Sequence, residues 1–350
     1  MKSKPTLQDV ATAVGVSRST VSNAYCRPDQ LSAGLRARIL EAARQLDYPG
    51  PNPTARSLRR GVVGAIGVLF TSQLSYAFTD PFAVRFLAGV AEAAERHGTS
   101  LLLVPLPTDP TQARVAVENA AVDGFCVYCA DDSWVPDVIR RRGLPFVTTA
   151  PRADAGADRY VGIDERAAAR AAADHLVSLG HRRVALLGDS IRPDAPVGPL
   201  RLSCVDDVPH PTTRQRLAGF ADALAAVGVG WADLTLLNAA GNSRAAGAAA
   251  IADGFVGDQP PTAVLACSDV LALGVLDALA DRAADVSVTG FDDVPDAAAA
   301  GLTTVRQPAE EKGRIAAALL LDPPAEPAAG HVLLRTELVV RTSTRPVPRS

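Results

Sequence analysis

The spacing of apolar positions changes character along the chain, and each change marks a different architecture. Leu7, Val10, Ala11 and Val14 recur at helical intervals. Thr6 stands before them as an N-cap, with Asp9 three residues on to complete an acidic capping box. Gly15 is placed to stop that helix. Ser17 caps a second helix with Val21 and Ala24 turned inward and Arg18, Ser19, Ser22 and Asn23 turned outward. A third helix starts at Ser32 and buries Leu35, Ile39, Ala42, Ala43 and Leu46. Two short helices joined by a tight glycine turn predict a helix-turn-helix head.

From residue 62 short apolar runs alternate with alanine-rich helical stretches. Val62–Phe70, Ser100–Pro105, Gly124–Cys129 and Pro145–Ala150 read as buried parallel strands, with helices over 82–97, 110–121 and 134–142 between them. A second series opens at Tyr160–Ile163. It continues through strands Val184–Gly188, Leu234–Asn238, Ala263–Cys267 and Val286–Phe291, and helices 165–179, 213–227, 243–253 and 269–282. The fold class is therefore α/β: a three-helix head followed by a body of two doubly wound parallel-sheet lobes. Ligands in such sheets bind beyond the carboxyl ends of the strands, so facing lobes enclose a cleft. The Pro- and Asp-rich segment 189–211 reads as a long loop at that cleft.

Between head and body lies Asn52-Pro53-Thr54-Ala55-Arg56-Ser57-Leu58-Arg59-Arg60-Gly61. Asn52 is an N-cap, Pro53 suits the first helical position and Gly61 stops the segment. A helix this short is unstable alone in water and needs a partner. Arg56, Arg59 and Arg60 are placed for phosphates, and Leu58 is explained if a minor-groove base step buries it.

Composition sharpens the picture. The chain has 350 residues, enough for two or three compact units, and 48% apolar residues supply a large core. No long uncharged apolar run predicts a membrane span, and the polar N-terminus is not a secretory leader, so a cytoplasmic location is expected. Five dispersed cysteines suit a reducing compartment. The net charge of −3 hides an asymmetry: residues 1–60 carry +6 and the remainder −9. A basic head on an acidic body points to a polyanionic partner for the head alone. The outward side chains of the second helix fit a major groove. Arg18 suits guanine and Asn23 adenine, while Ser17, Thr20 and Ser22 suit phosphates.

Enzyme chemistry finds no foothold. Gly61, Gly64 and Gly67 lack dinucleotide-binding spacing, and there is no phosphate-cradling Gly-Lys-Ser/Thr. The five histidines have no metal spacing, and no Gly-x-Ser-x-Gly elbow is present. Cys126 and Cys129 have redox spacing but fall in a buried strand, and His181 orients a turn. No cofactor and no metal are expected.

The stretches Thr6-Leu7-Gln8-Asp9-Val10-Ala11, Gly15-Val16-Ser17, Thr20-Val21-Ser22 and Asn52 to Leu58 closely resemble the lactose/galactose repressor (LacI/GalR) family. So do Gly180-His181-Arg182-Arg183-Val184, Arg216 to Phe220, Ser268 to Gly274, Gly290-Phe291-Asp292-Asp293 and Leu302 to Val305. The resemblance implies that Arg18, Ser19 and Asn23 carry operator specificity. It implies that Leu58 enters the minor groove with Ala55 beside it. The body then looks like a periplasmic-binding-protein-like effector domain that dimerises and closes on a small molecule, a carbohydrate being the commonest choice. By the same resemblance Arg216 clamps the ligand's oxygens and Asp292 accepts from its hydroxyls. Asn242 stands where relatives often place an aromatic and Ser268 where Asn is common; Gln73, Ser75, Tyr76 and Asp80 line the cleft from the other lobe.

The expectation is a homodimeric repressor of a palindromic double-stranded operator, governed by an effector and independent of membranes. The rivals are a purine-type regulator that needs a corepressor, a sugar-transport binding protein, and an enzyme on a doubly wound fold. The expected layout is a head over 1–50, a hinge over 51–61 and a body over 62–345. The first lobe spans about 62–160 and 291–320, the second about 161–290 and 321–345.

Overall fold

The computed structural model describes residues 5–51, 61–70, 74–107, 109–128, 134–150, 158–189, 191–251, 255, 259–280 and 286–347. It divides into two compact units, residues 1–64 and 65–350. In the first, helices α1 (Leu7–Val14), α2 (Arg18–Cys26) and α3 (Ala33–Gln45) pack around Val10, Ala11, Val21, Ala24, Ile39 and Ala43. Asp9 accepts from both the amide and the hydroxyl of Thr6, at 2.7 and 2.8 Å, which is one half of a capping box. Those bonds hold the Asp9 carboxyl below its ordinary range. Gly15 adopts the left-handed conformation (φ 75°) and donates to the Ala11 carbonyl, so the chain turns sharply into α2. Leu46, expected in the core of α3, lies beyond its last turn and is exposed.

The second unit holds two sheets. The first has the order β12-β5-β4-β3-β1-β2 and is wholly parallel. Its strands are β1 (Ala65–Phe70), β2 (Ser100–Pro105), β3 (Phe125–Tyr128), β4 (Phe146–Thr148), β5 (Arg159–Ile163) and β12 (His331–Leu334). Its connecting helices are α4 (Tyr76–Thr79), α5 (Pro81–Arg96), α6 (Pro110–Asn119) and α7 (Trp134–Arg141). The second sheet has the order β13-β11-β10-β9-β6-β8-β7. Its parallel centre is β6 (Val184–Asp189), β8 (Thr235–Ala239), β9 (Ala263–Ala266), β10 (Ser287–Asp292) and β11 (Thr303–Arg306). Antiparallel β7 (Gly198–Leu200) and β13 (Glu337–Val339) close its edges. Helices α8 (Glu165–Ser178), α9 (Pro211–Ala225), α10 (Arg244–Ala250), α11 (Asp269–Ala278) and α12 (Pro295–Ala299) belong to it, and α13 (Ala309–Leu321) returns to the first.

The central strands are buried on both faces, whereas β2, at the sheet edge, is half-exposed and Val62 and Val63 ahead of β1 are exposed. Ile66, Val68 and Phe70 enter one core with α5 and α13, whereas Leu69, Phe125 and Val127 enter another with α6 and α7. The expected 189–211 loop is partly regular: β7 pairs with β8, and the Trp231 indole donates to the Leu202 carbonyl.

The lobe boundaries differ from those expected. Tyr160–Ile163 belongs to β5 and pairs with β4 in the first sheet, so it does not open the second lobe. Asp292 and Thr303–Arg306 lie in the second sheet, and His331–Leu334 in the first. The chain thus changes sheets after Ile163, after Arg306 and after Leu334. Apolar runs mark strands but carry no signal of which sheet they join. The Thr303-Thr304 pair, polar by type, did not read as a strand although both residues are fully buried.

Helices α5 and α13 cross where both present glycine. A Cβ on Gly89 would lie 1.9 Å from the Glu310 carbonyl oxygen, and one on Gly313 would lie 2.0 Å from that of Phe86. Alanine in an ordinary helix interior is preferred to glycine by about 1 kcal/mol. At Gly313 the sign should reverse: Gly313→Ala is expected to lower the unfolding free energy by about 1–3 kcal/mol or more, since backbone must move to admit the methyl. Denaturant titration of the two proteins measures this directly.

Candidate functional site

In the head, Arg18 and Ser19 stand exposed at the first turn of α2, with Thr20 and Asn23 half-buried beside them. Ser17 caps α2 by accepting from the Thr20 amide at 3.1 Å. Its hydroxyl also bonds those of Ser19 and Thr20, at 2.7 and 2.8 Å. The Asn23 amide donates to Gln30 at 3.4 Å. Ser22, expected to face outward, is buried. It follows Val21 by one residue, and nine-residue α2 lies against both other helices, so its buried stripe widens to include the small serine. Thr6 is exposed and Leu7 half-buried at the start of α1. Asn52, Ala55, Arg56, Leu58 and Arg59 lie outside the described residues, as does Cys129. Cys126 is core, its thiol pushed up to about 12 by burial.

In the second unit a cavity of about 760 Å³ opens between the carboxyl ends of the two sheets. There strands hand over to helix N-termini, which need capping side chains. Asp80 caps α5 through the Ala83 amide (2.7 Å), with Pro81 at the first helical position. Ser268 caps α11 through the Leu271 amide (3.2 Å), and His210 caps α9 ahead of Pro211. Ser75, Tyr76, Asp80, Arg216, Asn242, Ser268 and Asp292 all line this one cavity. Gln73 lies outside the described residues.

Arg216 is not a free clamp. Its Nε donates to Glu165 at 2.8 Å and its Nη1 to the Cys267 carbonyl at 2.5 Å. The guanidinium sits 3.7 Å above the Phe291 ring, and Asp292 lies 3.9 Å from Nη1. Asp292 accepts from the Gln307 amide at 2.5 Å and has φ 120°, a backbone conformation that a non-glycine residue holds only under constraint. Burial pushes its carboxyl well above the ordinary range despite the pull of Arg216. Asn242 bridges the lobes: its Nδ2 donates to Tyr76 and Asp80, each at 3.0 Å, and its Oδ1 accepts from Ser268 at 2.5 Å. Burial raises both the Asp80 carboxyl and the Tyr76 phenol. The arrangement presents charged and neutral hydrogen-bonding groups from both lobes to a single cavity. Among the described residues no cluster of histidine, cysteine and carboxylate side chains could hold a metal.

Two family patterns match the chain. That of bacterial regulatory proteins, lacI family, covers residues 6–52, and that of the periplasmic binding protein-like domain covers residues 173–344. An HTH-type transcriptional regulator of Mycolicibacterium smegmatis is 42% identical over 357 residues, covering 98% of this chain and 97% of its own. The chain belongs to the lacI family. Among solved structures, a family member from Corynebacterium glutamicum superposes with TM-score 0.72 at 33% identity, covering 98% of this chain and 99% of its own. The lac repressor dimer bound to operator and an anti-inducer gives 0.74 at 26% identity, covering 98% and 100%. As a lacI-family member the protein is a DNA-binding transcriptional regulator. Among its described residues no helix is long and apolar enough to cross a membrane.

This lacI-family cleft also contains residues that sequence reasoning did not single out. Glu165, Asp189, Thr212, Gln307 and Lys312 line it, beside Phe82 and Tyr128. The Thr212 hydroxyl and the Gln307 carbonyl oxygen are buried there without a hydrogen-bond partner among the described residues. Nothing local announces them. Glu165, Gln307 and Lys312 sit where the chain crosses between lobes, Asp189 ends β6 and Thr212 opens α9.

Behind the cleft, Asp269 is fully buried; its carboxylate accepts from the Thr304 hydroxyl (2.5 Å) and the Val294 amide (2.8 Å). Burial outweighs those bonds and raises its pKa to about 6. The folded protein therefore holds this proton more tightly than the unfolded chain. The resulting stabilisation is complete below pH 4 and is lost as pH rises through about 6. Asp269→Asn should remove that dependence. Relative to wild type, the variant should gain up to about 3 kcal/mol between pH 4 and pH 7, read from denaturant melts at the two values.

Proposed function

We propose that this regulator is a repressor whose operator affinity is set by a small polyhydroxylated molecule, a carbohydrate, held in the cleft. The observation that carries this reading is the convergence of Asp80, Arg216, Asn242 and Asp292 from both lobes on one cavity, whose lining also includes Thr212 and Gln307, each with an orphaned buried oxygen (Thr212 Oγ1 and Gln307 Oε1). Buried polar groups are almost always paired, so such orphans mark positions where a ligand supplies the partner. Donors and acceptors in alternation match hydroxyl groups, each of which donates once and accepts twice. Ser75, Tyr76, Asp80, Arg216, Asn242, Ser268 and Asp292 contribute the remaining contacts, with Gln73, outside the described residues, proposed to join them.

In the head, Arg18, Ser19 and Asn23 read base edges, while Thr6, Leu7, Ser17 and Thr20 hold the duplex backbone. The hinge residues Asn52, Ala55, Arg56, Leu58 and Arg59 complete the grip, with Leu58 as the wedge. Two copies related by a two-fold axis meet a palindromic operator in the cytoplasm. The effector controls occupancy through its different affinities for open and closed lobes. A coupling of about 1–3 kcal/mol shifts DNA affinity roughly 5–150-fold. The Asn242 bridge between Tyr76, Asp80 and Ser268 belongs to the closed arrangement, so ligand and bridge act on the same equilibrium.

Two measurements test the reading. Arg18→Ala is expected to cost about 1–3 kcal/mol of specific DNA binding and to relax base preference at one position per half-site. An unchanged preference in a selection from random duplexes would put the reader elsewhere. Thr212→Val keeps shape and removes only an unpartnered hydroxyl. It should leave the melting temperature unlowered and weaken the effector's action in operator titrations about ten-fold. A full effector response in that variant would move the effector out of this cleft.

A further inference from the structure

Lysine is rare in this chain: Lys2 and Lys4 precede the head, and Lys312 is the third. Lys312 sits on α13 with 3% of its surface exposed, and it lines the cleft. Among the described residues its ammonium makes no hydrogen bond and no ion pair. The neighbour that characterises its surroundings is the Phe82 ring, whose centre lies 5.8 Å from Nζ. Arg216, the other buried cation of the cavity, is in contrast bound by Glu165 and flanked by Asp292.

An ammonium offers three donors and no acceptor. Buried without a counter-charge it is costly, so natural buried cations are paired or face a ligand that pairs them. The charges of the cavity are divided by lobe. Glu165, Asp189 and Asp292 stand on the wall built by the second sheet, where Arg216 already occupies Glu165. Lys312 stands on the first lobe's side, beside Phe82 and Tyr128. The carboxylate on that side, Asp80, is committed to the Ala83 amide and to Asn242.

We propose that Lys312 makes the cleft selective for an effector whose polyhydroxylated body carries an anionic group, a carboxylate or a phosphate. The anion contacts Lys312, and the hydroxyls face the carboxylates and amides of the opposite wall. This rests on the effector reading of the cleft and names the chemical class of its ligand. The opposing carboxylates do not cancel the attraction. Coulomb energy falls as 1/r, so a direct contact outweighs a single charge on the far wall, and Glu165 there is already paired with Arg216. Asp292, moreover, keeps its proton above the ordinary carboxylate range.

The test is calorimetric titration of the full-length protein with matched sets: glucose, glucuronate and glucose 6-phosphate; ribose, ribonate and ribose 5-phosphate. In at least one set an anionic member should bind at least ten-fold more tightly than its neutral parent. Which member does so separates carboxylate from phosphate. Lys312→Met should erase the preference and Lys312→Arg should restore part of it, with thermal melting confirming that both variants fold. Neutral sugars that bind as tightly as their anionic partners, with the Lys312→Met profile unchanged, overturn the proposal and leave the effector reading in place. No binding by any member of either set, neutral or anionic, and no change in operator occupancy on adding them, counts against both.

Discussion

The cleft is organised around one buried cation. The Arg216 guanidinium, withdrawn from water, is compensated by Glu165, by the Cys267 carbonyl and by the face of Phe291. Those partners come from the start of α8, the segment after β9 and the carboxyl end of β10, while Arg216 itself projects from α9. A single side chain therefore fixes four elements at the point where the second sheet meets the cavity. Such pairs add little net stability compared with a well-packed apolar substitute, but loss of one partner strands a charge and costs several kcal/mol. The arrangement is consequently all-or-none, and Asp292, Gln307 and Ser268 inherit their positions from it.

What could be read in advance follows from whether the determinant is local. The head was legible because Thr6, Ser17 and Ser32 each cap the helix that directly follows, and Gly15 terminates the helix directly before it. Ser22 was misread because its burial depends on how closely three helices pack, which no spacing in α2 reveals. In the body, strands and helices alternated visibly, while their assignment to sheets did not. Thr303 and Thr304 are the clearest case: their hydroxyls are satisfied by Arg341, Thr344 and Asp269, partners at least 35 residues away in the chain.

The cleft residues show the same division. Arg216 and Asp292 were recognised by their resemblance to a family, whereas Glu165, which holds Arg216, lies 51 residues earlier and has no local signature. Lys312 follows two glutamates on a helix and looks like an ordinary solvated charge. Only the crossover after Arg306 and the close approach of α13 to α5 turn it inward. Asn242 likewise gains its meaning from the fold, since its amide joins Tyr76 and Asp80, more than 160 residues earlier, to Ser268, 26 residues later.

The threefold passage of the chain between the sheets also constrains how the protein is made. The outer strand β12 and helix α13 of the first lobe come from residues 309–334, although the rest of that lobe ends at Ile163. During synthesis the faces of α5 and β1 that α13 will cover must wait, exposed, for some 150 further residues to emerge, a delay on the order of ten seconds at typical bacterial rates. The N-terminal head has no such dependence and can complete its core first. A nascent chain of this regulator is thus vulnerable to misassociation at one specific apolar surface, and only near the end of translation does that surface disappear.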